Sequence, residues 1–499
     1  MTTRAPSEVD YADIQGLVRF GYKRMTKARY ELLRVKSVAA ARSWLLSAPV
    51  SSAVAVEPPP RTALHIAFTA PGLRALGISE SVIEGFSHEF RAGMTTEYRA
   101  RQLGDVGNNA HEYWQWGGPG HGPHLLVMFF GEPSEFDAHV KSATDGTWRE
   151  AFDVVHSLSA DLDAIEPFGF ADGISQPEID WTQQRQTPTT QLDYTNVTAL
   201  GEVLLGYRNE YGKITDRPLL GPDAASAGLP AAQDAPDKKD LGRNGTYLVM
   251  RQLQQDVRKF WQFVHEQADG DSAKAEKLAA AMVGRERDGK PLVPAQSEPI
   301  IGIESKPEPV RVNQFTFDSD TSGVRCPFGS HIRRVNPRNF DFSERPAGLL
   351  KKLLVALGFG PKYFRYDLMS SVRFHRILRR GRKYGPPLTP EEALAPPPNE
   401  PERGLHFMCL NASISRQFEF VQNAWIVNSK FSGMTGESDP LLGNREPIPG
   451  CPVTSDFNMP QEGGLRRRVS GLPQFVTVRG GAYYFLPSLR ALRYLAGGA

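Results

Sequence analysis

A strand followed by a helix recurs in both halves of this chain and constrains its fold more than any other feature. Residues 64–68 form an apolar strand, and residues 71–76 open a helix with proline in its first turn. Similar couples occur at residues 124–130 with 135–143, at 245–250 with 257–264, and at 405–409 with 416–422. Repetition of this order predicts an α+β fold made of two related, ferredoxin-like domains packed together.

Three further segments carry weaker patterns. Residues 14–22 alternate and are expected to form a strand. Residues 27–46 place Leu32, Leu33 and Val35 at helical spacing, which predicts a helix. Near the end, residues 475–481 and 483–486 flank a Gly-Gly pair and are expected to form a closing hairpin.

The domain boundaries follow from length and local composition. A chain of 499 residues is too long for one ordinary core. We expect an N-terminal domain over residues 9–181, a polar linker rich in Pro, Thr and Asp over 182–240, and a C-terminal domain over 241–499. Residues 265–310 and 339–378 fit no repeat and are predicted to be insertions in the second domain.

Composition excludes several classes of protein. Lys and Arg total 58 against 56 Asp and Glu, so the net charge does not indicate the strongly basic surface of a nucleic-acid-binding protein. The 3 cysteines form no CxxC pair, which argues against a zinc site and fits a reducing compartment. No stretch approaches the length of a membrane span, and the N-terminus lacks an apolar signal region. We therefore expect a cytoplasmic protein without a membrane partner.

Three stretches hold residues that could carry chemistry. His331 lies between a Pro- and Gly-containing turn and a run of arginines, where a neutral imidazole could bind iron and the arginines an anion. Asp172 lies between two glycines in an apolar segment, and Arg379 lies in a basic segment. Each pattern alone has an ordinary alternative: a loop histidine, an Asp-Gly turn and a solvated basic loop.

Together the three stretches resemble the dye-decolourising peroxidase family. The sequence contains GxxDG at residues 169–173, HIRxxNPR at 331–338 and LRRG at 378–381. The resemblance extends from about residue 14 to residue 492. It implies a b-type haem (iron protoporphyrin IX) held between two ferredoxin-like domains of the dimeric α+β barrel type, mainly by the C-terminal one.

The resemblance also implies a role for each matching residue. His331 would be the axial iron ligand, and Asp439 would accept the second N–H of its ring. Asp172 and Arg379 would act on hydrogen peroxide at the distal side of the haem. The haem-lining set would comprise Gly173, Ile174, Ser175, Asn336, Pro337 and Arg338, with Arg338 on a propionate, together with Arg379 and the apolar Leu405 and Phe407.

The interval between His331 and Arg379 is longer than in compact members of the family. The additional residues, 339–375, leave Arg376 and Arg380 as rivals for the distal position. The implied activity is one-electron oxidation of small aromatic donors, such as dyes and phenols, at the expense of hydrogen peroxide. A haem carrier or sensor without turnover is the alternative, and the oligomeric state stays open, a homo-oligomer included.

Overall fold

The structure, a computed structural model, describes residues 8–184, 195–296, 300, 302–303, 306–308, 310–338, 371–395, 400–447 and 452–497. Its strands are β1 (Lys27–Val35), β2 (Thr62–Phe68), β3 (Leu125–Gly131), β4 (Phe152–Asp161), β5 (Glu178–Asp180), β6 (Val197–Ala199), β7 (Leu219–Leu220), β8 (Lys239–Asp240), β9 (Thr246–Gln255), β10 (Leu378–Arg379), β11 (Arg382–Tyr384), β12 (Gly404–Asn411), β13 (Phe457–Met459), β14 (Arg467–Val469) and β15 (Val476–Leu486).

Several of the α-helices contain fewer residues than the long strands β4, β9 and β15. They are α1 (Val38–Ser47), α2 (Ala70–Ala75), α3 (Glu80–Ile83), α4 (His88–Ala92), α5 (Glu97–Leu103), α6 (Pro133–Thr144), α7 (Trp148–Ala151), α8 (Val257–Glu266), α9 (Ser272–Val283), α10 (His331–Val335), α11 (Pro390–Leu394) and α12 (Leu489–Leu495). The segments Ser415–Glu419 and Val421–Val427 are π-helical.

Two four-stranded antiparallel sheets repeat one strand order. In the first half the order is β4-β1-β3-β2, and in the second half it is β15-β9-β12-β11. In both sheets the fourth strand in sequence lies beside the first and the third beside the second, which is the ferredoxin-like arrangement. The sheets join at both edges through the pairs Lys383↔Asp161 and Phe485↔Phe68, so these eight strands close into a ring. The short strand β10 also pairs with β12, through Leu378↔Leu410 and Arg379↔Cys409.

The ring is buried on both of its faces. Alternate residues of β1 illustrate this: Leu33 joins the cluster that packs under the helices, whereas Leu32 joins a cluster to which no α-helix of the described ranges contributes a residue. Val249 and Leu248 of β9 divide in the same way. Strands buried on both faces lose the alternation of apolar and polar residues.

Three predictions were wrong, and double burial explains the first of them. Residues 27–46 were expected to form a helix, but they form strand β1 followed by helix α1, because the consecutive apolar residues fill both faces of a strand. Residues 14–22 form no strand; a single 3₁₀ turn, Gly16–Val18, is buried there. The expected closing hairpin is one strand, β15, with a bulge between Val478 and Gly480.

The Gly-Gly pair that suggested a turn serves close packing instead. A Cβ on Gly480 would lie 2.5 Å from the Trp116 ring, so only glycine lets the indole approach the strand. The other predicted couples are confirmed: residues 64–68, 71–75, 125–130, 135–143, 246–250, 257–264 and 405–409 lie in strands and helices of the expected type. The predicted end residues 76, 124 and 245 lie one position outside these elements. Residues 416–422 are helical, with π rather than α geometry.

Several sequence-based expectations stay predictions. The domain ranges 9–181 and 241–499 are not tested by these elements, and residues 182–240 contain the short strands β6 to β8. Most of the predicted insertion at 339–378 lies outside the described residues. None of the helices in the described ranges combines the length and the apolar character that crossing a membrane requires. The cytoplasmic location stays a prediction.

Candidate active site

One cavity of about 320 Å³ brings together most of the residues that the sequence singled out. Its lining includes eight of the predicted site residues: Asp172, Ile174, Ser175, His331, Asn336, Arg379, Leu405 and Phe407. They come from the loop after β4, from α10, from β10 and from β12. The fold therefore assembles three distant motifs around one space.

His331 is the first residue of α10 and is held by a buried carboxylate. Its Nδ1 lies 2.9 Å from Oδ2 of Asp439, whose side chain has no exposed surface. The second oxygen, Oδ1, accepts the backbone N–H groups of Leu441 and Leu442, each at 2.9 Å. With Nδ1–H donating to the carboxylate, Nε2 is the nitrogen left to bind a metal.

The charge of Asp439 is supported from several sides. Burial alone would raise the pKa of Asp439, but the adjacent His331 and the Arg334 guanidinium hold it below its usual value. Arg334 also donates to three backbone carbonyls, those of Trp425, Asn428 and Glu437. Asp439 itself does not line the cavity, and it acts from behind the imidazole.

Arg445 is a supporting residue that sequence reasoning missed. Its guanidinium donates to the backbone carbonyls of Asp439 and Pro440 and to Oγ of Ser438. It therefore fixes the turn that presents the Asp439 carboxylate. No motif surrounds Arg445, and only its position shortly after the predicted Asp439 could have suggested it.

Asp172 and Arg379 form a second polar pair in the same cavity. Nη1 of Arg379 lies 3.3 Å from Oδ1 of Asp172, and Nη2 donates to the carbonyl of Ser175 at 3.1 Å. The backbone of Arg379 exchanges two hydrogen bonds with the Gln176 amide, at 3.0 and 3.2 Å. The loop that carries Asp172 and the strand that carries Arg379 thus fix each other.

The two rival arginines make other contacts. Arg380 donates to the carbonyls of Leu17 and Val18 and does not line the cavity. Arg376 lines the cavity, but it donates to the carbonyls of Thr195 and Val197. Of the three arginines, Arg379 is the one hydrogen-bonded to Asp172 among the contacts of the described residues.

Three predicted haem-lining residues lie outside the cavity wall: Gly173, Pro337 and Arg338. Arg338 is buried, donates to the carbonyls of Asn313 and Phe315, and has its guanidinium carbon 3.9 Å from the centre of the Phe315 ring. This placement gives no support to the predicted propionate contact of Arg338, which stays a prediction.

Sequence reasoning also missed polar groups on one strand of the cavity wall. Arg251, Leu253 and Gln255 alternate on β9 and all line the cavity. Period-two spacing on a strand places such residues on one face, so an alternation signal was present. Glu166 and His375 line the cavity as well.

The cavity has the apolar walls and the nitrogen donor that a large, flat metal-containing ring requires. Apolar walls come from β12 through Leu405 and Phe407, and from the His331 side through Ile332, Leu441 and Leu442. Nε2 of His331 would be the atom available to a metal, because the Asp439 carboxylate behind the ring takes up Nδ1. The donor set and the walls suit a haem.

The chain is similar in sequence and in structure to known peroxidases. A scan against models of protein families gives no match. Dye-decolorizing peroxidase AauDyP1 of Auricularia auricula-judae is 27% identical over 515 residues, covering 98% of this chain and 87% of the relative. Multifunctional dye peroxidase DyP2 of Amycolatopsis sp. is 32% identical over 351 residues, covering 68% of this chain and 62% of the relative. A solved decolorizing peroxidase from Auricularia auricula-judae has a TM-score of 0.70 at 26% identity, covering 98% and 100% of the two chains.

The chain belongs to the dye-decolourising peroxidase family. Members of the family are haem enzymes, so this peroxidase is an oxidoreductase that acts on a peroxide, and its cofactor is haem. The predicted α+β class with two ferredoxin-like domains is confirmed by the fold of these relatives.

Proposed function

We propose that this peroxidase uses hydrogen peroxide for one-electron oxidation of aromatic donors, namely dyes and phenols. The observation that carries the proposal is the hydrogen-bonded pair of Asp172 and Arg379 in the cavity that His331 lines. Relatives named as dye peroxidases support the class of donor. A protein that only carries haem would not need a paired carboxylate and guanidinium beside it.

In this proposal His331 would hold the haem iron through Nε2. The Asp439 carboxylate accepts the Nδ1 proton, which fixes the ring plane and makes Nε2 a stronger electron donor. When bound, haem supplies the redox centre that accepts the oxidising equivalents of the peroxide. Leu405 and Phe407 exclude water from that side and keep the space small.

Asp172 and Arg379 have different roles in the reaction with peroxide. The Asp172 carboxylate takes a proton from one peroxide oxygen and returns it to the other, which then leaves as water. The Arg379 guanidinium stabilises the negative charge that develops as the O–O bond breaks, and it cannot act as the base because it keeps its own proton. The contact of Arg379 with the Ser175 carbonyl keeps the guanidinium aimed at this position.

The test is an absorption spectrum of the haem-loaded protein before and after one equivalent of hydrogen peroxide. We expect a Soret band that changes on addition of peroxide in the wild type and is lost or strongly altered in His331→Ala. His139→Ala is the matched control, because His139 packs on Phe129 and does not line the cavity. A Soret band that does not change when peroxide is added would instead support a haem carrier or sensor.

A further inference from the structure

Glu166 is an acidic side chain in the cavity to which the proposed mechanism gives no role. It lies six positions before Asp172 in the same loop, and both residues line the cavity. Its carboxylate accepts three hydrogen bonds: from the N–H of Phe168 to Oε2 at 3.0 Å, from Nε2 of Gln255 to Oε2 at 2.8 Å, and from the N–H of Phe170 to Oε1 at 3.0 Å.

These contacts fix the carboxylate whatever its charge. The loop is anchored on α8, where Trp261 donates to the Phe168 carbonyl and stacks parallel to Phe170. A carboxylate has about four lone-pair positions. Oε2 of Glu166 accepts two donors and Oε1 accepts one, so a proton can bind at Oε1 without displacing a hydrogen bond.

The proposed reaction needs such a proton. Reduction of one hydrogen peroxide to two waters takes two electrons and two protons, and each of two aromatic donors gives up one electron and one proton. The first water takes both protons of the peroxide itself, through Asp172. The second oxygen needs two more protons. When a donor cannot enter the cavity beside the haem and reacts outside it, its proton is released to solvent. Protons must then reach the cavity through its own groups.

We propose that Glu166 is a second proton-carrying residue of the cavity, which holds one proton at Oε1, supplies it through Asp172 at each of the two one-electron steps that form the second water, and takes up the next proton from solvent between them. The inference rests on the proposed function of Asp172. Glu166 acts through another residue, so it is a positioning and relay residue rather than a catalytic one.

The surroundings of Glu166 favour a proton at neutral pH. Burial is the main cause that raises its pKa, to about 7, and the negative charge of Asp172 adds to the rise, while the Gln255 amide and the two loop N–H groups oppose it. The packed α8 side presents the uncharged rings of Phe168, Phe170 and Trp261. The charged groups on the surrounding elements are Asp172 in the loop, Arg379 on β10, Arg251 on β9 with its partner Asp105, and Arg287 beside Gly169. Arg285, Arg376, His331 and His375 line the same cavity.

Glu166→Gln tests the inference, with Glu276→Gln as the matched control. Glu276 pairs with Arg287 beside the same loop but does not line the cavity. In stopped-flow experiments on the haem-loaded enzyme, the peroxide phase of Glu166→Gln should stay within about twofold of wild type, and the donor phase should be about tenfold slower near pH 6. The wild-type donor phase should fall as pH rises through about 7, and the variant should lose this midpoint.

A second readout does not depend on turnover. Infrared difference spectra of the haem-loaded protein, recorded without peroxide below and above pH 7, should show a protonated carboxyl band that disappears as pH rises. The band should be absent in Glu166→Gln and present in Glu276→Gln. Retention of the band and of the kinetic midpoint in Glu166→Gln would overturn the inference.

Two further variants separate the possible failures. If Glu166→Gln does not fold, Gln255→Met removes one donor to the anionic carboxylate, and both midpoints should move to higher pH; unchanged midpoints would contradict the inference. Asp172→Asn addresses the proposed function instead. A normal peroxide phase in Asp172→Asn would refute that function, whereas a slow one beside an unaltered Glu166→Gln would refute only the role of Glu166.

Discussion

Nδ1 of His331 lies 2.9 Å from Oδ2 of Asp439, and this carboxylate is completely buried. Arg334 and Arg445 flank it, one through its charge and the other through hydrogen bonds to the backbone of Asp439 and Pro440. Removing water from an ion pair is costly, so a buried carboxylate is kept charged only when such partners hold it. The imidazole is thus part of a rigid assembly rather than a loop side chain.

Asp439→Asn should weaken this assembly. If the amide oxygen accepts from Nδ1–H, the NH₂ group faces the N–H groups of Leu441 and Leu442, which then have no acceptor there. If the amide is turned round, the NH₂ group faces the imidazole and the contact with Nδ1–H is lost. Loss of such an outer partner typically costs about 10- to 100-fold in metal affinity or activity. We expect faster haem dissociation and a higher iron reduction potential, measured by haem transfer to an acceptor protein and by redox titration.

Glu437→Gln controls for loss of a nearby buried acid. Glu437 is bonded to Asn458 and not to His331. Its variant should keep the wild-type reduction potential even if stability falls. An equal change of the iron reduction potential in both variants would mean that the potential depends on the total nearby charge rather than on the hydrogen bond of His331 to Asp439.

Arg379→Leu should slow the reaction with peroxide without releasing haem. Loss of one group that stabilises developing charge typically costs about 10²- to 10³-fold. The rate is measured by stopped-flow absorption at the Soret band. Arg380→Leu is the control, because Arg380 donates to the carbonyls of Leu17 and Val18 away from the cavity. If Arg376→Leu, and not Arg379→Leu, abolished the peroxide reaction, the assignment of the distal arginine would be wrong.

The site could be predicted only where its chemistry is local in the sequence. His331, Asp172 and Arg379 each lie in a short motif, and the structure places all three on one cavity. Arg445 lies in no motif, because its role depends on a turn that only the folded chain forms. Arg338 was expected at the haem, yet its donors are directed to the carbonyls of Asn313 and Phe315.

The fold, like the site, could be predicted only where a local sequence pattern identifies an element. Couples such as residues 124–130 with 135–143 were found because their strand and helix are clearly separated. Strand β1 was mistaken for a helix because Leu32 and Leu33 are buried on opposite faces, so the sequence lacks the alternation that identifies a strand. Closure of the ring rests on single pairs such as Phe485↔Phe68, for which no local signal exists.

Acid should destabilise the protein through His65. This residue is completely buried in β2, and its Nε2 lies 2.8 Å from the hydroxyl of Tyr22. Burial lowers the pKa of His65 from 6.5 to about 3, so the unfolded chain binds the proton and the folded chain does not. The stability that neutral His65 contributes is complete above pH 6.5 and is lost as pH falls below it, by about 1.4 kcal/mol per pH unit.

His65→Gln should reduce this dependence on pH, because the amide can still bond to Tyr22 and does not titrate. The free energy of unfolding, measured in denaturant at about pH 7.5 and about pH 5, gives the slope. His121→Gln, at an exposed position, should keep the wild-type slope. Some dependence should remain in His65→Gln, because burial also lowers the pKa of His406, to about 4. Identical slopes in wild type and His65→Gln would contradict the assignment.

Gly404→Ala should disturb the strand that carries the apolar wall of the cavity. Gly404 pairs with Gln254 where β12 meets β9, and a Cβ would lie 1.9 Å from the carbonyl oxygen of Leu253. Backbone cannot yield as a flexible side chain does, so the strands must separate, at a cost of about 1–3 kcal/mol. Leu405 and Phe407 follow on β12, and we expect weaker haem retention together with a lower unfolding temperature.

Gly21→Ala is the matched control for Gly404→Ala, because none of the residues that the structure describes would lie within 4 Å of a Cβ on Gly21. Its unfolding temperature and haem content should equal those of wild type, since the methyl group enters open space. Both variants are measured by thermal unfolding and by the ratio of Soret to protein absorbance. Gly404→Ala could instead lose stability and keep its haem. The wall formed by Leu405 and Phe407 would then tolerate displacement of β12, which would refute the tight apolar contact proposed for that side of the haem.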